Sequence, residues 1–311
     1  MIVIGSRGSA LALWQARHIA DQLAAFGGKT GAETRIEIIK TSGDKFQDVP
    51  LAKVGGKGLF TKEIEEALLD RSIDLAVHSM KDVPTALPAG LTLAAMPPRE
   101  EARDALIGRT VAELREGSRV GTSSLRRSSQ LHALKRGLSI KTLRGNVDTR
   151  LRKLDEGQYD AIVLAAAGLR RLGWADRITE LIPVETMCPA VGQGALAIET
   201  RDDGGAAHEL ARKLDHRETR AAVTAERALL ETLGGGCQVP VGAHAWLDGN
   251  IVHLRAVVAS PGGERIVKGE ISGIDPAALG RVLGERLLSQ GAREVLDAVY
   301  LGATNLAADG R

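Results

Sequence analysis

Short apolar strands alternate with helical segments in two stretches of this chain, and this alternation constrains the fold more than any other feature. The first stretch opens with the strand Ile2–Ile4, a turn rich in Gly and Ser, and a helix rich in Ala and Leu. Beyond Pro97–Glu101 the pattern restarts, with strands near residues 105–107, 119–121, 140–143 and 161–164. Such alternation is typical of α/β folds, in which helices cover a mostly parallel sheet. The sequence therefore predicts two α/β lobes.

The last part of the chain has a different pattern. Three strand-like runs follow residue 240, and the turns Asp248–Asn250 and Pro261–Gly263 separate them. Runs joined by such turns predict an antiparallel meander. A helix predicted at 276–299 would close a small α+β domain. Residues 187–198 are interpreted as a second crossing between the lobes, followed by a return strand.

Positive charge is concentrated between residues 119 and 152, where nine Lys and Arg residues accompany one acidic residue. Arg126 and Arg127 open a helix, although arginine in a first turn opposes the helix macrodipole. Arg144 ends the next predicted strand, and Arg150 lies early in the helix after it. Arginine binds carboxylates through paired hydrogen bonds, so these residues indicate a site for an acidic ligand. A solvated basic face is the alternative. A nucleic-acid surface is disfavoured because only 3% of the residues are aromatic.

Polar segments follow two predicted strands of the first lobe. They carry Arg7 and Ser9 after the first strand, and Ser79, Lys81 and Asp82 after the third. In open α/β sheets, ligands bind outside the carboxyl ends of the strands. A turn between a strand and a helix also aims backbone N–H groups at an anion. Ordinary surface turns with solvated charges are the alternative interpretation.

One of the two cysteines, Cys237, directly follows three glycines. Glycine lets another group approach the backbone closely, so such a loop can present a thiol to a cavity. The glycines also end the helix predicted at 219–230. The alternative is therefore a helix cap followed by a small buried cysteine. Cys188, between Met and Pro, is predicted to be structural, and a disulfide between the two cysteines is disfavoured.

Composition and local sequence patterns disfavour several other classes of protein. The net charge of +2 gives no general attraction to nucleic acid, and no apolar run is long enough to cross a membrane. No Cys or His spacing indicates a metal site. The N-terminal residues do not resemble a signal peptide, and with two cysteines the reducing cytoplasm is the expected compartment. The stretch from 41 to 60 has no clear periodicity and is interpreted as a lid or a disordered loop.

Seven short motifs are spread in order along nearly the whole chain. They span Arg7–Gln15, Pro50–Phe60, Ala76–Pro84, Gly121–Arg127, Leu143–Arg150, Pro189–Gly194 and Gly235–Pro240. Together they resemble the motifs of the porphobilinogen deaminase family, whose members are also called hydroxymethylbilane synthases. Departures such as Gly8 and Gly234 fall between the matching positions.

The resemblance implies three domains. Two are α/β lobes like those of periplasmic binding proteins, joined by two crossings. The third is a small C-terminal α+β domain with a three-stranded antiparallel sheet, and it carries the cysteine loop. The expected bounds are residues 1–97 together with 195–214, residues 100–191, and residues 217–311.

The resemblance also implies a reaction and a cofactor that the residues alone do not disclose. Family members are transferases of tetrapyrrole and haem biosynthesis, which condense four porphobilinogen molecules head-to-tail with loss of ammonia. The units are added to a covalent dipyrromethane cofactor, and hydrolysis releases hydroxymethylbilane. In this chain the cofactor is expected on a thioether to Cys237. A monomer is expected, with hand-over of the product to the next pathway enzyme, and neither nucleic acid, membrane nor metal is an expected partner.

Roles for individual residues follow from the resemblance. Asp82 is the expected catalytic group, because one carboxylate can donate a proton to the departing ammonia, face the resulting cation and later remove a proton. Residues expected to hold the cofactor are Ser79, Lys81, Thr122, Ser124, Arg126, Arg127, Arg144 and Gly145. Residues expected to hold the substrate and the growing chain are Arg7, Ser9, Gln15, Asn146, Arg150, Arg171 and Gln193. Residues expected in the lid loop are Lys53, Lys57 and Phe60.

A non-catalytic, two-lobed protein that binds an acidic small molecule is the alternative from another class. It explains the two lobes and the arginine clusters. It does not explain Cys237 on its glycine loop or the placement of Asp82 among so many cations.

Overall fold

The computed structural model describes residues 1–26, 33–45, 58, 60–235 and 239–308. The predicted attachment residue Cys237 and the predicted lid residues Lys53 and Lys57 lie outside these ranges. Within these ranges the chain forms two five-stranded sheets and one three-stranded sheet. None of the helices in this part of the chain is both long enough and apolar enough to cross a membrane.

The first sheet combines the N-terminal strands with one strand that returns from much later in the chain. Its strands are β1 (Ile2–Ser6), β2 (Thr34–Ile38), β3 (Leu75–Ser79), β4 (Leu91–Ala95) and β10 (Leu196–Arg201). They lie in the order β2-β1-β3-β10-β4, with β1 parallel to β2 and β3, and β10 antiparallel to both of its neighbours. The helices of this lobe are α1 (Ala10–Phe26), α2 (Ser42–Lys45), α3 (Lys62–Leu69) and α7 (Ala206–Arg212). Ile4, Ile19, Leu75 and Ile198 are completely buried in its core.

The second sheet repeats this arrangement. Its strands are β5 (Asp104–Ile107), β6 (Arg119–Gly121), β7 (Ser139–Lys141), β8 (Ala161–Ala165) and β9 (Glu180–Leu181). They lie in the order β7-β6-β8-β5-β9, with β6 parallel to β7 and β8, and β5 antiparallel to its neighbours. Its helices are α4 (Leu125–Leu134), α5 (Val147–Asp155) and α6 (Ala166–Arg171). Leu106 and Ile162 belong to different core clusters and are both fully buried, as expected for a sheet covered on both faces.

The third sheet is an antiparallel meander with the order β11-β12-β13. Its elements are α8 (Arg217–Thr232), β11 (Val241–Asp248), β12 (Ile251–Ala259), β13 (Ile266–Gly273), α9 (Pro276–Leu287) and α10 (Arg293–Ala308). The prediction of one continuous helix over residues 276–299 was wrong. Gly291 has a φ of +101° and interrupts the helix between α9 and α10, because an α-helix requires a negative φ.

Two crossings connect the lobes, and they contact each other. Glu100 N donates to Gly194 O at 3.2 Å. Gly194 has a φ of +88°, and a Cβ at that position would lie 2.3 Å from the Glu100 oxygen. Only glycine allows the second crossing to approach the first so closely.

The predicted architecture is confirmed: two α/β lobes joined by two crossings, and a C-terminal three-stranded antiparallel sheet with helices. Each sheet falls within one of the expected domain ranges. The domain bounds themselves stay a prediction.

Candidate active site

A buried carboxylate, Asp104, joins two of the arginines that were predicted to hold a ligand. Asp104 opens β5 and is 0% exposed, while Arg126 and Arg127 in the first turn of α4 are 4% and 6% exposed. Arg126 Nη1 donates to Asp104 Oδ2 at 2.6 Å, and Arg127 donates to Oδ1 from Nε at 3.0 Å and from Nη2 at 2.8 Å. Gln193 Nε2, from the second crossing, donates to the same oxygen at 2.9 Å. Two guanidinium groups and one amide therefore share one carboxylate.

The charges in this cluster decide the ionisation of its members. Burial alone would raise the pKa of Asp104, but the charges of Arg126 and Arg127 outweigh it and hold that pKa well below its usual range. Burial lowers the pKa of the Arg127 guanidinium in spite of its contact with Asp104. One negative charge between two positive charges leaves a buried surplus of one positive charge. That surplus favours the binding of a further carboxylate.

Asp82 lies in a short 3-10 turn directly after β3. Among the residues that the structure describes, its carboxylate has no hydrogen-bond donor and no ion-pair partner. It interacts electrostatically with the ammonium group of Lys81 and the guanidinium group of Arg150. Arg150 also interacts with Arg127 and Arg144. The carboxyl end of β3 in the first lobe thus faces the Arg-rich edge of the second.

The cations at this edge are crowded. Burial, assisted by Arg127, lowers the pKa of Lys81 to about 8, although neighbouring carboxylates act in the opposite direction. Burial lowers the pKa of Arg150 to about 10, and Arg127 and Arg144 add to the effect. Both shifts have the sign expected for buried cations with too little counter-charge. A bound carboxylate would relieve this repulsion.

The other predicted cofactor ligands of the second lobe lie in the turns before α4 and α5. Ser124 is the N-cap of α4, and its Oγ accepts from an N–H of the first helical turn at 3.4 Å. The buried Thr122 Oγ1 accepts from Ser124 N at 3.1 Å. Asn146, which was predicted as a substrate ligand, is the residue before α5 and makes no side-chain capping bond. Gly145 has a φ of +108°, and a Cβ there would lie 2.6 Å from Thr149 Cγ2, so this turn requires glycine.

The first lobe contributes polar groups at the carboxyl ends of β1 and β3. Gln15 on α1 is buried, and its Nε2 donates to Ser79 Oγ at 2.9 Å. The Arg7 Cζ lies 4.2 Å from the centroid of the Phe60 ring, which is a cation–π contact. Ser9 Oγ accepts at 3.3 Å from a backbone N–H in the first turn of α1, as expected of an N-cap.

Two predicted substrate ligands make contacts between the domains. Arg171 Nη2 donates to Gly194 O at 2.7 Å, and its Cζ lies 5.9 Å from the ring centroid of Trp14 on α1. Burial lowers the pKa of Arg171 to about 10. Gln193 is completely buried, and its Oε1 has no partner within the described residues. Contact of these two side chains with a substrate stays a prediction.

The donors around Asp82 fit an acidic cofactor. Five cationic side chains meet two carboxylates there, which leaves three positive charges in excess. The cations are Lys81, Arg126, Arg127, Arg144 and Arg150, and the carboxylates are Asp82 and Asp104. A dipyrromethane carries acetate and propionate groups, and arginine matches carboxylates in both charge and geometry.

Sequence analysis did not single out Asp104, Arg99 or Glu226, which hold the site together. Arg99 Nε donates to Gln193 O at 2.8 Å, and its two terminal nitrogens lie 2.6 and 3.2 Å from the carboxylate of Glu226 on α8. A continuous hydrogen-bonded path thus runs from the third domain through the crossing to Asp104. One feature of the sequence could have indicated Asp104. It is an acidic residue at the start of an apolar strand that is covered on both faces, and a buried carboxylate requires a cationic partner.

Comparisons with known proteins identify one family. A family model described as "Porphobilinogen deaminase, dipyromethane cofactor binding domain" matches residues 2–209, and one described as "Porphobilinogen deaminase, C-terminal domain" matches residues 220–289. A porphobilinogen deaminase from Syntrophobacter fumaroxidans is 50% identical over 305 residues, which cover 96% of this chain and 98% of the relative. One from Nitratidesulfovibrio vulgaris is 53% identical over 306 residues, which cover 96% of each.

An extracytoplasmic solute receptor from Bordetella pertussis that binds pyroglutamic acid matches with a TM-score of 0.40 and 13% identity, over 75% of this chain and 84% of the receptor.

The two family models divide the chain as its sheets do. The first spans both five-stranded sheets together with Asp82 and Asp104, and the second spans the three-stranded sheet. The chain belongs to the porphobilinogen deaminase family.

Proposed function

We propose that this protein condenses four porphobilinogen molecules head-to-tail, with loss of ammonia, and releases hydroxymethylbilane by hydrolysis. The observation that carries the proposal is the carboxylate of Asp82, which has no hydrogen-bond or ion-pair partner within the described residues although it faces a surplus of cations. Family membership supports the same activity. The non-catalytic binding protein is not favoured, because both matching family models describe porphobilinogen deaminases.

The covalent cofactor is proposed to be attached through Cys237. The family model that covers the lobes is named for a dipyrromethane cofactor, which supports its presence. Cys188 is 4% exposed, and burial raises the pKa of its thiol to about 12, which makes it a poor nucleophile. Of the two cysteines in the chain, Cys237 is then the one suited to form the thioether. When bound, the dipyrromethane supplies the pyrrole carbon to which the first substrate unit is added.

Asp82 performs the proton transfers. It donates a proton to the departing amine, and its carboxylate then stabilises the positive charge that develops on the substrate ring. It afterwards accepts the proton that leaves the newly bonded pyrrole carbon. Each step needs a carboxylate whose oxygens are not engaged elsewhere, and a positioned acid–base group typically contributes about 10²–10⁴-fold to the rate.

The cations and polar turns hold the acidic ligands. The residues proposed for the cofactor are Ser79, Lys81, Thr122, Ser124, Arg126, Arg127, Arg144 and Gly145. Those proposed for the substrate and the growing chain are Arg7, Ser9, Gln15, Asn146, Arg150, Arg171 and Gln193. The lid residues Lys53, Lys57 and Phe60 and the three domain ranges complete the proposal. A cytoplasmic monomer that hands its product to the next enzyme of the pathway stays a prediction, supported by the cysteine content and by the family.

Intact mass spectrometry tests the function and the attachment together. The parent protein is expected to be heavier than its sequence by one dipyrromethane, and incubation with porphobilinogen should add a series of heavier species. Cys237→Ser should have the unmodified mass, whereas the matched control Cys188→Ser should keep the modification. A parent that turns over porphobilinogen at its unmodified mass would refute the attachment. A parent that neither carries the cofactor nor consumes porphobilinogen would refute the function.

A further inference from the structure

Arg227 reaches out of α8 to the segment that directly follows Asp82. Its Nη1 donates to Val83 O at 3.1 Å, and its Nη2 donates to Pro84 O at 2.6 Å and to Thr85 O at 3.0 Å. These three consecutive carbonyl groups lie outside any strand or helix. Buried or partly buried carbonyl groups require donors, and one guanidinium group supplies them here.

The same helix leads into the loop that carries the second cysteine. α8 ends at Thr232, and Gly234 follows with a φ of +71°. Tyr300 Oη on α10 donates to Gly234 O at 2.9 Å, which fixes the entrance of that loop. Arg227 therefore lies a little more than one helical turn before the end of the element that precedes Cys237.

α8 is held rigidly against α9. A Cβ at Gly280 would lie 2.3 Å from the carbonyl oxygen of Ala225, and one at Gly284 would lie 2.7 Å from Thr232. The two helices are thus in close backbone contact between Ala225 and Thr232, on the face of α8 opposite Arg227. A rigid helix that binds the Asp82 segment near one end of the glycine loop fixes the distance between the two.

We infer that Arg227 is a positioning residue, which sets the catalytic carboxylate of Asp82 in register with the cofactor attachment loop. The inference rests on the proposed function, because it takes Asp82 as the proton-transfer group and Cys237 as the attachment point. Arg227 acts through the backbone of residues 83–85 and does not contact the reacting atoms. Misplacement of a catalytic group by about 1 Å can reduce the rate by about 10²-fold.

Arg220 provides a matched control. It lies on the same helix, and its Nη2 donates to two carbonyl groups of the same lobe, Leu93 O at 3.2 Å and Ala94 O at 2.9 Å. These carbonyls belong to β4, which lies further along the chain than the turn that carries Asp82. The Nε of Arg220 also pairs with Asp215 Oδ2 at 2.6 Å. Loss of Arg220 therefore removes an attachment of at least similar extent without loosening residues 83–85.

The test uses the cofactor-loaded Arg227→Met and Arg220→Met proteins, with loading confirmed by intact mass. Melting temperatures should fall by similar amounts in both. We expect kcat with porphobilinogen to fall about 10–100-fold in Arg227→Met while KM changes less than about 2-fold. Arg220→Met should keep the kcat of the parent. Arg227→Lys should recover part of the loss, because one ammonium group can satisfy some of the three carbonyls.

A double variant tests whether Arg227 acts through Asp82. Adding Arg227→Met to Asp82→Asn should cause no further loss of kcat, since the group that it positions is already absent. Independent, multiplicative losses would overturn the inference, as would equal kcat values for the Arg227→Met and Arg220→Met proteins. A failure of the proposed function would instead appear in the parent, as absent cofactor mass or absent consumption of porphobilinogen.

Discussion

Replacing Asp104 with Asn tests the charge balance on which the candidate site depends. The amide keeps the shape of the carboxylate but leaves Arg126 and Arg127 buried beside each other without their counter-charge. Removing one partner of a buried ion pair costs about 3–5 kcal/mol. Domains are stable by about 5–15 kcal/mol, so this variant should lose a large part of its free energy of unfolding.

Thermal unfolding of the cofactor-free protein measures the effect. For a unit the size of the two lobes together, which one family model matches over residues 2–209, about 1 kcal/mol corresponds to about 2–4 °C, so the melting temperature should fall by about 6–20 °C. Asp160→Asn is the control in the same lobe. Asp160 pairs with Arg119 at 3.0 Å, but their side chains are 24% and 45% exposed, and exposed pairs contribute only about 0–1 kcal/mol.

Cofactor binding should reduce the damage. In the loaded Asp104→Asn protein, a carboxylate of the dipyrromethane is expected to provide counter-charge for Arg126 and Arg127, the residues proposed to hold it. The difference in melting temperature from the parent should therefore be smaller in the loaded form than in the cofactor-free form. If Asp104→Asn and Asp160→Asn unfold at the same temperature without cofactor, the arginines do not depend on Asp104 and the reasoning is wrong.

Two further predictions concern groups whose pKa is shifted. Because burial lowers the pKa of Lys81 to about 8, the unfolded chain binds more protons than the folded one between pH 8 and about 10.4, and stability should rise over that interval. Urea unfolding of cofactor-free protein should show this rise in the parent but not in Lys81→Met, and equal slopes would contradict it. Cys188, with its pKa raised to about 12 by burial, should escape alkylation by iodoacetamide at pH 8 until the protein is unfolded. Peptide mass spectrometry would detect modification in the folded protein, which would contradict this.

The fold was predictable because its signals are local. Alternation of apolar strands with helices depends on residues a few positions apart, and turns such as Asp248–Asn250 mark their own boundaries. The interruption at Gly291 was missed because the surrounding apolar pattern continues through it. A single glycine inside a helical pattern does not reveal whether its φ will be positive.

The site was predictable only in part, because its residues meet through the tertiary structure. The end of β3 places Lys81 and Asp82 close enough to Arg127 and Arg150 for electrostatic interaction, and a strand end can be recognised in a sequence. Asp104 lies 22 and 23 positions before its arginines and 89 positions before Gln193, and no periodicity connects such distant residues. Arg227 was missed for another reason. Its partners are main-chain carbonyls, which every residue possesses and which leave no trace in a sequence.

The two carboxylates of the site have different tasks because they have different partners. Asp104 is completely buried, and both of its oxygens accept hydrogen bonds from Arg126, Arg127 or Gln193, so two ion pairs hold it in its charged form away from a substrate. Asp82 has no such hydrogen-bond partners among the described residues, yet its neighbour Lys81 and Arg150 on the opposite lobe interact with it electrostatically. If the arginines were free, they would compete for Asp82 and occupy the oxygens that proton transfer needs. By holding Arg126 and Arg127 in the second lobe, Asp104 keeps their charge available to acidic ligands and leaves Asp82 the free oxygens that its proposed role as acid and base requires.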